Sequence, residues 1–119
     1  MALNLALVST ITAETNAAVM AATPVVVTLI PVVAAEKIVK INSLYAANTL
    51  ASGAVKVDAY IDISGTPHYL CKTVSVAAGA TTILVTKDAP IYLKEATMIL
   101  KVFCDVTGMT FTVSYETLA

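Results

Sequence analysis

Apolar and polar residues alternate with period two along most of this chain. The clearest stretch is Val55, Val57, Ala59, Ile61 and Ile63, separated by Lys56, Asp58, Tyr60 and Asp62. Such alternation places one face of a strand in a core and the other in water. A second run is Met98, Leu100, Val102, Cys104 and Val106, interrupted by Lys101 and Asp105. Phe111, Val113 and Tyr115 alternate with Thr112, Ser114 and Glu116. Upstream, Ile38 to Ala46 predicts a strand with Val39, Ile41, Ser43 and Tyr45 on one face and Lys40 and Asn42 on the other. Strands are also predicted over Tyr69–Val76, Thr81–Thr86 and Ile91–Leu93.

Turn residues separate these runs: Glu36-Lys37, Asn48 to Gly53, Ser64-Gly65-Thr66-Pro67, Ala77 to Ala80, Lys87 to Pro90, Lys94-Glu95 and Gly108. The short spacing across Gly65 predicts an antiparallel hairpin. The N-terminal third is less regular. Ala2–Ile11 predicts an arm or an edge strand. The Ala-rich Thr12–Thr23 predicts a loop or a short helical turn. Val25–Val33 reads as a buried strand, which Pro24 and Pro31 place near an edge. About eight short strands at roughly ten-residue spacing predict an all-β domain, a single antiparallel β-sandwich of jelly-roll or Ig-like type. Residues 1–35 would form an N-terminal arm and first strands, packed on the main domain or on a neighbouring subunit. Residues 36–119 would form the sandwich core.

The uncharged run Thr15–Ala35 has the length of a membrane span. Pro24 and Pro31 would break or kink a helix there, and valine dominates its second half. No Lys or Arg precedes it, so it lacks the flank of a signal peptide or an oriented anchor. The expectation is a strand, in a protein made in the cytoplasm and assembled there, with no membrane partner.

Composition sharpens this picture. Val, Ile and Thr, the stiff β-branched residues that suit pleated strands, number 41 of 119. Charged residues make up only 13%, against the roughly 25–35% usual on the surface of a small soluble domain. Much of the exterior must therefore be Ala, Thr, Ser and Val. A free monomer with that skin would tend to associate, so contacts with other protein chains are expected to cover part of it. A dense core beneath a Thr/Ser/Ala exterior is the competing explanation, since twenty residues are Ala. Seven scattered Lys and no Arg supply no basic stripe, which disfavours direct nucleic-acid binding.

Candidate chemistry is sparse. His68 is the only histidine, and Cys71, three residues on, would point to the opposite strand face. That spacing disfavours a Cys–His dyad. Two Cys and one His cannot complete a four-ligand zinc site. Cys71 and Cys104 both sit in apolar strand patterns and are expected to be buried free thiols. Asp58 and Asp62 flank Tyr60, but residues four apart on a strand are about 13 Å apart, too far for a glycosidase pair. No phosphate loop, HExxH or GxSxG motif occurs. The expectation is therefore a protein that is not an enzyme and has no catalytic residues, cofactor or metal. Tyr45, Tyr60, Tyr69, Tyr92 and Tyr115 are the candidate interface residues, because tyrosine suits half-wet contacts.

Four blocks carry a resemblance. Lys40-Ile41-Asn42-Ser43-Leu44-Tyr45-Ala46-Ala47-Asn48 comes first, followed by Tyr69-Leu70-Cys71-Lys72-Thr73-Val74-Ser75-Val76-Ala77-Ala78-Gly79. Then come Ala89-Pro90-Ile91-Tyr92-Leu93-Lys94-Glu95 and Val113-Ser114-Tyr115-Glu116. In this order they resemble small β-sandwich virion structural proteins of tailed bacteriophages, especially phages of aquatic bacteria. The opening Met1-Ala2-Leu3-Asn4-Leu5 also fits. Ala78 stands where that family commonly has Pro, and Ala96-Thr97 replaces a Gly-Asp turn. The family carries no catalytic residues, so none transfer. The resemblance implies a capsid decoration (cement) protein located in the virion. Its partners would be capsid or other virion proteins, and it would form a homo-oligomer, with a trimer favoured. A neck, tail or fibre component is the alternative. A carbohydrate-binding module using Asp58, Tyr60 and Asp62 is an alternative of another class.

Overall fold

The structure is a computed structural model that describes residues 9–19, 26–30, 32–86 and 88–119. Residues 2–8 of the expected arm or edge strand over Ala2–Ile11, and both Pro24 and Pro31, lie outside the described residues. Nine strands run through the rest: β1 (Ile11–Val19), β2 (Val26–Thr28), β3 (Ile38–Asn48), β4 (Val55–Ile63), β5 (Thr66–Val76), β6 (Thr81–Val85), β7 (Ile91–Leu93), β8 (Met98–Cys104) and β9 (Met109–Leu118).

They form two sheets, and every pairing is antiparallel. The five-stranded sheet has the order β1-β9-β3-β6, with β7 beside β6 on the same edge of β3. The four-stranded sheet has the order β2-β8-β4-β5. With β7 set aside, the chain changes sheet at every step except the β4–β5 hairpin, as in a jelly roll, the predicted sandwich in its jelly-roll form.

The core forms where the two inner faces meet. Phe111, Val113, Leu44 and Ile41 face Val57, Ala59, Leu100 and Val102, all essentially without solvent contact. Leu29, Ile30 and Val33, which follow β2, close one end. Asn48 is the one buried polar residue among those described. Its Nδ2 donates to the Val76 and Gly53 carbonyls at 2.9 and 3.0 Å, and its Oδ1 accepts the Leu50 N–H at 3.0 Å. It thereby ties the end of β3 to the end of β5 and to the β3–β4 connection.

Several local expectations change. Ile11–Val19 is a strand paired along its whole length with β9, not a loop or helical turn. Small Ala and Thr side chains allow either outcome locally, and the β9 edge decides it by supplying hydrogen-bond partners. In β3 the strict alternation fails. A register shift between Ile41 and Ser43 moves the buried set from Val39 and Ile41 to Leu44, Ala46 and Asn48, so Tyr45 faces outward. A bulge of this kind inserts one residue and reverses every face after it. The β4–β5 turn is only Ser64-Gly65, both at positive φ, with Thr66 and Pro67 already in β5. That is the pattern of a two-residue hairpin turn, and the Asp62 carboxylate accepts the Gly65 N–H at 2.8 Å.

Candidate assembly surface

The outer face of the five-stranded sheet is set by register. Tyr45 on β3 pairs with Ile83 on β6 and with Thr112 on β9, which pairs in turn with Ala17 on β1. The next row is Ser43, Ser114 and Thr15, and the one after it is Tyr92, Lys40, Glu116 and Ala13. Lys40 and Glu116 are the only charges in these rows, and they sit opposite each other. Asn42 adds a hydrogen bond to Glu116 at 2.7 Å. The result is a broad face of hydroxyls, alanines and two tyrosines. Ile83 stands 55% exposed and Tyr45 39% exposed at its β6 margin. A cavity of about 350 Å³ opens beside them, lined by Asn42, Ser43, Tyr45, Ile83, Thr86 and Asp88.

The outer face of the four-stranded sheet is different. Tyr60 and Tyr69 are cross-strand partners whose ring centroids lie 5.3 Å apart at 50°. Lys72 Nζ caps the Tyr69 ring at 4.6 Å. Tyr60 also pairs with Lys101, whose ammonium is 2.9 Å from the Asp62 carboxylate. That bond, then the Gly65 N–H, holds the Asp62 carboxyl below the ordinary carboxylate range. Asp58 Oδ1 accepts the Thr73 N–H at 2.6 Å. Both aspartates are thus committed to protein partners. Each remains on a surface, Asp62 with both carboxylate oxygens engaged and Asp58 with one.

The five tyrosines therefore divide. Tyr45 and Tyr92 share one outer face, Tyr60 and Tyr69 the other, and Tyr115 points inward at 6% exposure. Burial and a bond to Glu14 raise the Tyr115 phenol above its ordinary range. His68 is exposed on β5. Among the described residues no group of three or more His, Cys, Asp or Glu is placed to hold a metal ion. No described helix is long and apolar enough to cross a membrane.

Sequence reading missed Ile83, because Thr81-Thr82-Ile83-Leu84-Val85 offers two apolar parities and nothing local says which faces out. Exposed Ile11 and Val32 were missed too, both in stretches where alternation is blurred by small residues.

No protein-family model and no curated protein matches the chain. Likeness appears in solved structures. A protein from an archaeal virus, described by its triple jelly-roll fold and turret assembly, superposes with a TM-score of 0.57 at 13% identity. The match covers 95% of this chain but 30% of that one. A subunit of the disulfide-linked pili of Bacillus endospore appendages gives 0.49 at 16% identity, covering 92% of this chain and 88% of that one. A chain of infectious bursal disease virus, Gx strain, gives 0.41 at 12% identity, covering 93% and 32% respectively. At these identities the likeness concerns the fold, and the first of the three agrees with the connectivity above: this chain is a jelly-roll β-sandwich.

Proposed function

We propose that this chain is a virion structural protein, a capsid decoration (cement) protein of a tailed bacteriophage that binds across neighbouring shell subunits and stabilises them. The observation that carries the reading is the outer face of the five-stranded sheet, broad and nearly free of charge. Facing water, it gains little. Facing another protein, it has few ions to strip of solvent, and it can offer hydroxyl hydrogen bonds around Tyr45 and Ile83. The ordered resemblance of four sequence blocks supports the phage setting, and the viral jelly-roll neighbour is compatible with it.

Binding through such a face would add stability in proportion to apolar area, about 25 cal/mol per Å². A cement role with many copies favours a closed cyclic oligomer, and a trimer suits local three-fold positions. The test is to heat particles with and without the protein and to count copies per particle. A lower rupture temperature without it, with copies in the hundreds, is expected. Equal rupture temperatures would sink the cement role. A count of a few to tens would point instead to a neck, tail or fibre position.

A further inference from the structure

Sheet edges invite pairing, and folded proteins usually blunt them with short strands, prolines, lysines or bulges. In this sandwich β2 and β7 have three residues each and β6 has five. The long edge strand β5 carries Pro67, Lys72 and a bulge at Thr73, which sits at φ 55°. The edge strand β1 has none of these devices. It is nine residues long, has Glu14 as its only charge, and contains no proline or register shift. Every side chain from Ile11 to Ala17 is exposed, on both faces of the strand.

Its unpaired groups can be assigned. Thr10 and Ala119 exchange two backbone bonds, each of 3.0 Å. Antiparallel ladders alternate, so Thr12, Glu14 and Asn16 also bond β9, while Ile11, Ala13, Thr15 and Ala17 aim their N–H and C=O groups at the open side. The Asn16 carboxamide takes the Ala17 N–H at 3.0 Å, the single local guard of this edge among the described residues. Beneath the inner face of β1 lies a cavity of about 300 Å³. Its wall is mixed, with Ile30, Val33 and Val39 beside Lys37, Tyr115 and Thr117; Thr12 and Glu14 form its β1 side, and Val32 stands exposed at its rim.

We propose that this edge receives residues 2–8 of a second copy of the chain, added as an extra strand. That segment reads Ala2-Leu3-Asn4-Leu5-Ala6-Leu7-Val8, without charge, and its leucines recur at period two. Pairing puts Leu3, Leu5 and Leu7 on the inner side, over the cavity, and Ala2, Asn4, Ala6 and Val8 on the outer side. Residues 2–8 reach about 23 Å when extended, enough to cover most of the roughly 30 Å of β1. The segment joins the sandwich at Ser9, whose N–H bonds Ala119 at the far end of β9. To lie along its own β1 it would have to reverse within a stretch that has no Gly or Pro. A neighbour's edge needs no reversal. Repeated head to tail, this contact closes into a ring where its rotation fits and extends as a filament where it does not.

The inference rests on the assembly reading and names its contact. Two full-length variants test it in solution by sedimentation and light scattering. T15P removes an edge N–H that β9 does not use, so it blocks the acceptor while the fold survives. L3D/L5D/L7D disables the donor. Each alone is expected to associate at least tenfold more weakly than the native chain. Mixed, they should form a one-to-one dimer and stop there, since one partner accepts nothing and the other donates nothing. Circular dichroism confirms folding, and A13P, which targets a second free-edge N–H, replaces T15P if that variant unfolds. Native-like oligomers from either variant, a folded mixture that stays monomeric, or a native chain that never associates overturns the exchange. Particle stabilisation that persists in T15P would show that the arm exchange fails while the cement role stands.

Discussion

Asn48 joins three separate parts of the fold. Its carboxamide is buried and makes three hydrogen bonds, to Gly53, Val76 and Leu50, while its backbone bonds Ala80 and Gly79. Asn48→Ala would strand the buried Val76 carbonyl and remove two part-buried bonds, to Gly53 and Leu50, at about 1–3 kcal/mol for a group that stays unsatisfied and about 1 kcal/mol for each lost bond. A loss of about 3 kcal/mol in chemical denaturation is expected, and Asn48→Asp should lose nearly as much because it cannot donate. Sequence placed Asn48 in a turn and at the end of a resemblance block. Its burial was not legible, because the bulge that turns it inward leaves no mark in the hydrophobic pattern. The Asp62–Lys101 pair was half legible, as two charges on wet strand faces. Its titration has a definite sign. Asp62 titrates below its ordinary range, so its contribution is present above the ordinary carboxylate pKa and is lost as pH falls through the lowered one. Lys101 titrates above its ordinary range, so its contribution is present below the ordinary lysine pKa and is lost as pH rises through the raised one. Stability from the pair should be flat across neutral pH. NMR titration of the Asp62 carboxyl in Lys101→Met should show its pKa moving back up.

At the scale of elements, the β4–β5 ladder shows how a rule is broken and compensated. Thr73 adopts φ 55°, a conformation that costs a β-branched residue about 1–2 kcal/mol. The register shifts between Val57 and Ala59 opposite it, and Asp58 holds its N–H. Thr73→Asn should stabilise the fold by about 1 kcal/mol, and Asp58→Ala should destabilise it by a similar amount, as read by the shift in melting temperature. Alternation predicted β4 along its full length because no bulge interrupts its own side-chain pattern. It missed β1 because Ala and Thr serve loop, helix and edge strand alike, and β9 decides among them. The cysteines follow from the same ladder. Cys71 pairs with Ala59 and Cys104 with Val57, on opposite sides of β4. Two strand spacings separate them by about 9–10 Å, beyond the roughly 7 Å a disulfide spans. Burial raises both thiols above their ordinary range. Ellman's reagent should therefore find two thiols after unfolding, with neither reacting promptly in the native protein, and air oxidation should leave no internal disulfide.

For the whole molecule, composition had already implied that the few charges could not cover the surface, but it could not say where the uncovered part lies. The sandwich locates it by concentrating charge on one side. The four-stranded face carries Lys56, Asp58, Asp62, Lys72 and Lys101, whereas the rows centred on Tyr45 carry only Lys40 and Glu116. Such an asymmetry costs a free monomer solubility and serves a protein that binds by one face. Ile83 and Tyr45 are exposed cross-strand neighbours there, and their side chains leave the core untouched. Ile83→Lys with Tyr45→Lys should therefore change unfolding stability by no more than about 0.5 kcal/mol, the usual range for surface sites. On the cement reading proposed above, the two added charges would have to be desolvated on docking, so the same variant should bind particles at least tenfold more weakly and remain soluble at higher concentration. Pelleting with particles lacking the protein reads the first effect, and light scattering reads the second. A matched variant on the other face, Tyr60→Lys with Tyr69→Lys, should leave binding unchanged. If instead the second variant loses binding and the first keeps it, the docking face is the four-stranded sheet, and the low charge of the five-stranded face reflects only a Thr/Ser/Ala exterior over a dense core.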